Sequence, residues 1–448
     1  MDLNAEQSPS VGEVLQADDD GAPEYLFEQS PYNTAVREID KARFFSQEWH
    51  LREVEKVWRK VWQMACREEE ISEPGDQIVY DIVDNSIIVL RADDGSIRAF
   101  YNSCLHRGTQ LLPAGACTSS DRLRCPYHGW TYDLSGKLVD QPSSWDFPQF
   151  RGRTATLVPV KVDKWGGFVF ITMDPDAPPL EQFLGVLSSH KLGEELARRF
   201  IGAHVAKVID CNWKVGLEAF LEGYHVAEVH PQALPFTGDT NGQLDVWPPH
   251  ISRMIASIGA PSPRMANAST ADSVAALRAF LPNCPEEAAD GDIDPREMMA
   301  QSIRGMLSDL TGADYSAYSK SEIIDAINYH VFPNLMPWVG HGTPIVYRLR
   351  PFGSDPDRSI LEVYLLYAAP HEKPRPDPAE VVWLDPGDSW TRAPQLGGLG
   401  EIFDQDEQNF TMIQRGLKAG GAPGISPSEY QESRIRFLHD TLDSYVHS

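Results

Sequence analysis

The chain has 448 residues, 42% hydrophobic and 23% charged, a balance that excludes disordered and fibrous classes. Acids outnumber bases 65 to 39, and the resulting charge of −26 repels phosphate backbones, so nucleic acid is not an expected partner. No apolar run reaches the roughly 18–20 residues that span a bilayer, and the acidic start MDLNAEQSPSVGEVLQADDD is no secretory signal, so a cytoplasmic location without membrane contact is expected.

Residues 1–40 are rich in Asp, Glu, Ser and Pro and predict a mobile arm. From Ser46 to Cys66, Leu51, Val54, Trp58, Val61, Trp62 and Ala65 recur at three and four, the spacing of an amphipathic helix. QIVYDIV, SIIVLRA and SIRAFYN then alternate between DN and DDG turns as an antiparallel meander. TATLVPVKV and GGFVFITM add strands that close near Asp174, and DPDAPPLEQF is a Pro-rich linker. HVAKVIDCNWKV begins as a strand and feeds a helical pattern that ends near His230-Pro231. Residues 262–330 are helical and irregular, and their position suggests that they shape access to a site. IVYRLRPFG and SILEVYLLYAAP predict a second antiparallel sheet. One helix begins near Phe403 and another covers Glu429–Tyr445. The expected class is α+β, with an arm (1–40), a small antiparallel β domain (41–175) and a larger α+β domain (176–448).

Six cysteines are too few for a disulfide scaffold. Cys66, Cys117, Cys211 and Cys284 have no companion at metal-ligand spacing and are expected to be buried or half-buried free thiols. The other two sit in Cys104-x-His106 and Cys125-x-x-His128, each on a turn after a strand. Two thiolates and two imidazoles can hold one metal or one small cluster. Zinc sites usually pair Cys with Cys and His with His. Mixed pairs suit a two-iron cluster with two Cys on one iron and two His on the other.

A second constellation lies in CNWKVGLEAFLEGYHVAEVHP. On a helix, Glu218, Glu222 and His225 fall within roughly 60° of one another, on a stripe shared with Val215 and Val229. Carboxylates and an imidazole on an apolar stripe are costly unless they bind something. Glu228 lies off it, on a solvated face. His230 is five residues beyond His225, which predicts a helix distorted or ended there with the help of Pro231. A mononuclear non-haem iron takes two His and one carboxylate and keeps other positions open. In EIFDQDEQNFTMIQRGLKAG, Asp406 shares the apolar stripe of Phe410, Ile413 and Leu417, whereas Asp404 faces away as a capping or solvated acid. Asp406 is therefore the expected third ligand.

Cys104-x-His106-Arg107-Gly108 with Cys125-Pro126-Tyr127-His128-Gly129-Trp130 resembles the Rieske [2Fe–2S] domain of ring-hydroxylating oxygenase α subunits. Tyr224-His225-x₄-His230 with the later Asp406 is similar to their helix-grip catalytic domain, so the likeness spans about residues 41–418. It implies a Rieske cluster on Cys104, His106, Cys125 and His128, and Fe(II) on His225, His230 and Asp406. It also implies a head-to-tail trimer, with or without a small β subunit. Glu222, where members usually carry Asp, would be the carboxylate that links the iron to a cluster-ligating His of a neighbouring subunit. The substrate and O₂ would meet at the iron. NAD(P)H electrons would arrive through a separate reductase, with or without a ferredoxin, because the chain has no flavin or dinucleotide fingerprint. Apolar segments such as HVFPNLMPW and LEVYLLYAA suit hydroxylation of an aromatic or other hydrophobic ring, with Tyr224 and Trp338 as candidate substrate contacts. Glu222, and Glu218 where many members have Asn, keep open oxidative N-demethylation of a betaine-like amine. A third alternative is a Rieske electron carrier fused to a ligand-binding domain without catalytic iron.

Overall fold

The computed structural model describes residues 9–31, 34–265, 269–280, 294–370 and 374–448. The predicted meander forms the middle of a seven-stranded sheet: Ile97–Tyr101, Asn85–Arg91 and Asp76–Ile82 are neighbours. Pro159–Trp165 and Phe168–Thr172 extend one side, ending at Gln63–Arg67, and Cys117–Ser119 closes the other. Three short strands, Arg122–Arg124, Thr131–Asp133 and Leu138–Asp140, make a separate small sheet at the tip. The expected linker after Asp174 is pinned to this domain: the Trp62 indole donates to the Pro178 carbonyl at 2.7 Å and Lys161 to that of Ala177 at 2.6 Å.

The second sheet has eight strands, all antiparallel except the edge pair of Arg199–Ile209 with Val381–Leu384. Helices Trp213–Glu218, Leu399–Ala419 and Ser433–Val446 pack on it or on one another. Cross-strand partners Arg348 and Glu362 form its buried ionic knot. The Glu362 carboxylate accepts from Arg348 at 2.6 and 2.7 Å, from Arg350 at 3.3 Å and from His204 at 3.2 Å. Burial alone would raise this carboxyl, but the guanidinium groups of Arg348 and Arg350 hold it well below the ordinary range. The knot also joins the domains, because Arg348 donates to the Ala65 carbonyl on Gln63–Arg67. Beside it, the Asn334 amide pairs with both backbone groups of Met64, at 2.9 and 3.0 Å, as a neighbouring strand would.

Three expectations are corrected. Residues 1–40 are not a mobile arm over their described part: Val11, Leu15 and Leu26 are buried in the core, and Ile39–Asp40 pairs with Gly424–Ile425. The acids that suggest solvation in sequence meet buried arginines instead. Arg296 bridges Asp18 and Asp325, both at 2.7 Å, and Arg253, paired with Asp245, donates to the carbonyls of Tyr25 and Glu28 at 2.6 Å. The helix expected over Ser46–Cys66 covers only Gln47–Glu53, widens into a π turn at Val54–Trp58 and gives way to the strand Gln63–Arg67. Every residue of that strand is buried, so no alternation marks it as a strand. The third concerns the thiols: Cys66 and Cys211 are buried, but Cys117 is exposed on its edge strand, and Cys284 lies outside the described residues.

Residues 262–330 contribute helices Thr270–Phe280, Pro295–Thr311 and Lys320–Ile324, whose buried residues share a core of their own. Among the described residues no helix is long and apolar enough to cross a membrane.

Candidate metal centres

Two loops at the tip of the β domain have the same construction. The Gly108 N–H bonds to the Cys104 carbonyl at 2.9 Å, and the Gly129 N–H to the Cys125 carbonyl at 3.0 Å. Both glycines have φ near +75°, where a side chain would be strained, which accounts for the glycine that ends each motif. The turns send the cysteines inward and the histidines outward. Cys104 and Cys125 are buried with Leu123, Trp130 and Tyr132, while His106 and His128 bring their Nδ1 atoms to 3.1 Å of each other. Trp130 stacks on His106, with ring centroids 5.0 Å apart.

The sulfurs are supplied with donors. The Tyr132 hydroxyl accepts from the Leu105 N–H at 3.0 Å and lies 3.2 Å from Cys104 Sγ, free to donate to it. Burial would raise the Cys125 thiol, yet the N–H groups of Tyr127 and His128 bring it below its ordinary value. Two donor-supplied thiols on one side and two imidazole nitrogens on the other fit a cluster with thiolate on one iron and imidazole on its partner.

The second centre begins at a buried ion pair. Lys214, fully buried on Trp213–Glu218, donates to Glu53 at 2.7 and 2.9 Å, and Glu53 also accepts from the Trp213 indole at 3.0 Å. The Asn212 side chain caps this helix through the Lys214 N–H. It ends earlier than its periodicity predicts. Phe220 and Leu221 bond back three residues, and helix resumes only at Val226–Val229. Glu222 fills the break: one carboxylate oxygen accepts the His225 N–H at 3.0 Å and the other the His225 Nδ1–H at 2.6 Å. The second piece stops at His230, as Pro231 predicts.

Each imidazole therefore has Nδ1 engaged on one side and turns Nε2 toward Asp406 on the other. His225 donates to Glu222, and His230 to Gln405 Oε1 at 2.8 Å. The Nε2 atoms converge on Asp406 Oδ1, at 2.9 Å from His230 and 3.7 Å from His225. One ligand atom from each of the three residues lies within 4.8 Å of the others. Two oriented imidazoles and a buried carboxylate within reach of one ion fit a facial iron site. Asp406 faces inward from Leu399–Ala419 with Phe410, as expected, and with Phe403, but Gln414 takes the next buried position and Ile413 is exposed. Asp404 is a capping acid: it accepts the Trp390 N–H at 2.8 Å and the Ser389 hydroxyl.

The cavity beside these ligands measures about 230 Å³. Val215, Ala219, Val229, Phe410, Ile413 and Ile435 supply apolar wall; Glu218, Glu222, Asp406 and Glu432 supply carboxyl groups. None of the described residues of 262–330 lines it, so the expected gating by that stretch finds no support here. Tyr224 is also absent from the wall; it is 52% exposed beneath the Arg264 guanidinium. Trp338 stands edge-on to Tyr347 at 6.2 Å and does not line this cavity.

Glu218 reaches His439 Nε2 at 2.8 Å. Burial, partly offset by Lys214, pushes its carboxyl up to about 8, while burial suppresses protonation of His439. At neutral pH Glu218 is thus a neutral acid donating to a neutral imidazole. In the unfolded chain it ionises at its ordinary, lower value. Its contribution to stability is complete below that value and disappears as pH rises through about 8. Glu218→Gln should therefore lose less stability than wild type between pH 5.5 and 8 and exceed it at pH 8, read as urea midpoints. Equal slopes would show that Glu218 ionises normally.

Sequence reasoning missed Tyr132, Lys214 with Glu53, and Gln405. Lys214 reads as a surface base until its partner, 161 positions away, is known.

Comparison with known proteins assigns the two domains to families. The Rieske [2Fe-2S] domain family matches residues 61–151, which include both Cys/His loops. The family described as the ring hydroxylating alpha subunit (catalytic domain) matches residues 194–448, more than half of the chain. The chain belongs to the ring-hydroxylating α subunits. This α subunit is 35% identical over 193 residues to the carnitine monooxygenase oxygenase subunit of Escherichia coli K12, covering 42% of the chain and 51% of that protein. It is 31% identical over 205 residues to the chlorobenzene dioxygenase α subunit of Cupriavidus sp. PS12, covering 44% and 45%. The aligned regions span about half the length of these curated relatives. Two solved structures share the fold: the quaternary ammonium Rieske monooxygenase CntA with L-carnitine (TM-score 0.62, 19% identity, 93% and 97% covered), and Rhodococcus sp. naphthalene 1,2-dioxygenase with indole (TM-score 0.60, 22% identity, 99% of each).

Proposed function

We propose that this α subunit is the terminal oxygenase of a multicomponent system that hydroxylates an aromatic or other hydrophobic ring with O₂. Electrons from NAD(P)H reach it through a separate reductase, with or without a ferredoxin. The observation that carries this reading is the convergence of His225, His230 and Asp406 beside a partly apolar cavity that His225 and Asp406 line, in a chain that also has a Rieske domain. Cys104, His106, Cys125 and His128 hold the [2Fe–2S] cluster, and His225, His230 and Asp406 hold Fe(II). The iron, when bound, supplies O₂ activation. The chain's own residues orient and enclose. Glu222 fixes the His225 ring, Gln405 the His230 ring, and the apolar wall keeps water from the reacting carbon.

Glu222 also lines the cavity, where a neighbouring copy in a head-to-tail trimer would present its cluster histidines. A small β subunit is compatible with this arrangement. A solved relative, a quaternary ammonium Rieske monooxygenase, is described in terms of inter-subunit electron transfer. The convergence of three candidate metal ligands, two imidazoles and one carboxylate, favours catalysis over the carrier alternative.

A second reading is oxidative N-demethylation of a betaine-like amine. Its support is the cavity's ionisable lining: four carboxyl groups and one histidine, with no lysine or arginine among the described lining residues. Iron and acid-labile sulfide on protein purified without oxygen should come to about three and two per chain. Turnover with a surrogate reductase then separates the substrate classes. Ring diols or phenols support the first reading, whereas NADH-dependent formaldehyde release from a methylated amine, without ring product, replaces it with the second. Two irons and two sulfides, unchanged by added Fe(II), would overturn both.

A further inference from the structure

The two imidazoles that face Asp406 are oriented by different chemistry. His225 donates to a carboxylate, Glu222, but His230 donates to an amide oxygen, Gln405 Oε1. Gln405 stands in the run Asp404-Gln405-Asp406-Glu407, so the uncharged member of an acidic stretch falls where the His230 Nδ1–H arrives. With Glu222 and Asp406 already beside the centre, a divalent ion meets two negative charges, and the amide adds none.

An amide, unlike a carboxylate, has two faces. If Gln405 offers its oxygen, the imidazole proton stays on Nδ1 and the Nε2 lone pair points to the metal position. If it offers its NH₂, Nδ1 must accept, the proton moves to Nε2, and the nitrogen that should bind metal is blocked. Gln232 Nε2 donates at 2.9 Å to the same Gln405 oxygen, so the Gln405 amide can turn over only if Gln232 turns with it. Gln232 follows His230 by two positions, so one short segment carries both the ligand and the group that orients its partner. The Gln405 backbone is held as well, its carbonyl accepting from the Asn409 amide at 3.0 Å.

We propose that Gln405 and Gln232 form an amide pair that selects the metal-binding tautomer of His230, with Gln405 as the positioning residue and Gln232 as the group that prevents its amide from turning over. The proposal rests on the reading of His225, His230 and Asp406 as an iron site.

The test uses full-length protein with its cluster intact, stripped of mononuclear iron and titrated without oxygen with ⁵⁷Fe(II). Mössbauer spectra then report only the added ion, and the cluster's visible absorption confirms folding. Gln405→Leu should weaken Fe(II) binding about 10–100-fold, the usual cost of losing a hydrogen-bond partner behind a ligand, and shift the quadrupole splitting. Gln232→Leu should act in the same direction with a smaller effect. Gln405→Glu has no NH₂ face, so it should bind at least as tightly as wild type and abolish the effect of Gln232→Leu. Wild-type affinity in Gln405→Leu, or an undiminished Gln232→Leu effect in the Gln405→Glu background, overturns the amide pair while leaving the iron site standing. Wild type that binds no Fe(II), or Asp406→Ala that binds it equally well, overturns the iron site and the proposal with it.

Discussion

Asp406→Ala is expected to abolish product formation while the cluster's visible absorption stays unchanged. Asp406 is the one carboxylate of the three-residue set, buried and 2.9 Å from His230 Nε2. Without it the site offers two neutral nitrogens, which hold Fe(II) poorly because this hard ion favours an anionic oxygen among its ligands. The loss should exceed the roughly 10–100-fold that follows removal of an outer hydrogen-bond partner. The cluster loops lie on the other domain and share no hydrogen bond with Asp406 among the described contacts, so their spectrum serves as the internal control. Iron assays should fall by about one atom per chain with sulfide constant. Retained turnover would show that the third ligand is another residue.

Lys214→Met is expected to be the most destabilising single change, by about 3–5 kcal/mol, the cost of leaving one member of a buried ion pair alone. Lys214 is fully buried and Glu53 nearly so, and the pair connects the helix that leads the β domain to the helix that carries Glu218. With the ammonium gone, Glu53 keeps only the Trp213 indole N–H as its described side-chain donor. Replacing both partners, Glu53→Leu with Lys214→Met, should recover most of the loss, because the buried charges then disappear together. Urea unfolding of the three variants measures this. A double variant no better than Lys214→Met would mean that packing, not charge, sets the cost.

The candidate ligands were more legible in sequence than the backbone that carries them. His225 and Asp406 stand out because their residue types are wrong for an apolar stripe, and His230 because it follows His225 as a second imidazole; chemistry of that kind survives errors in local structure. The continuous helix drawn through Glu218, Glu222 and His225 does not exist. Val215, Glu218, Glu222, His225 and Val229 nevertheless line one cavity, although two short helices and the break between them carry these residues. What periodicity could not reveal was long-range pairing. The N-terminal stretch looks solvated until Arg253 and Arg296, more than two hundred residues later, are seen to bind its carbonyls and acids. Gln414 looks like a surface residue, yet it is buried, donating to Phe44 and Asp357 and accepting from the Asn212 N–H. An amide that satisfies three backbone and side-chain groups has no signature in hydropathy.

The seam at Met64 has a consequence for how electron flow can be timed. Asn334 occupies both hydrogen-bonding groups of that residue, and Arg348 ties the next one to the ionic knot of the catalytic sheet. A domain sewn down along its own edge strand has no hinge there. The distance between a chain's cluster and its own iron pocket is then a constant of the fold. Where electrons cross between copies, as proposed above, variation in their path lies in the fit of one copy against the next and not in this seam.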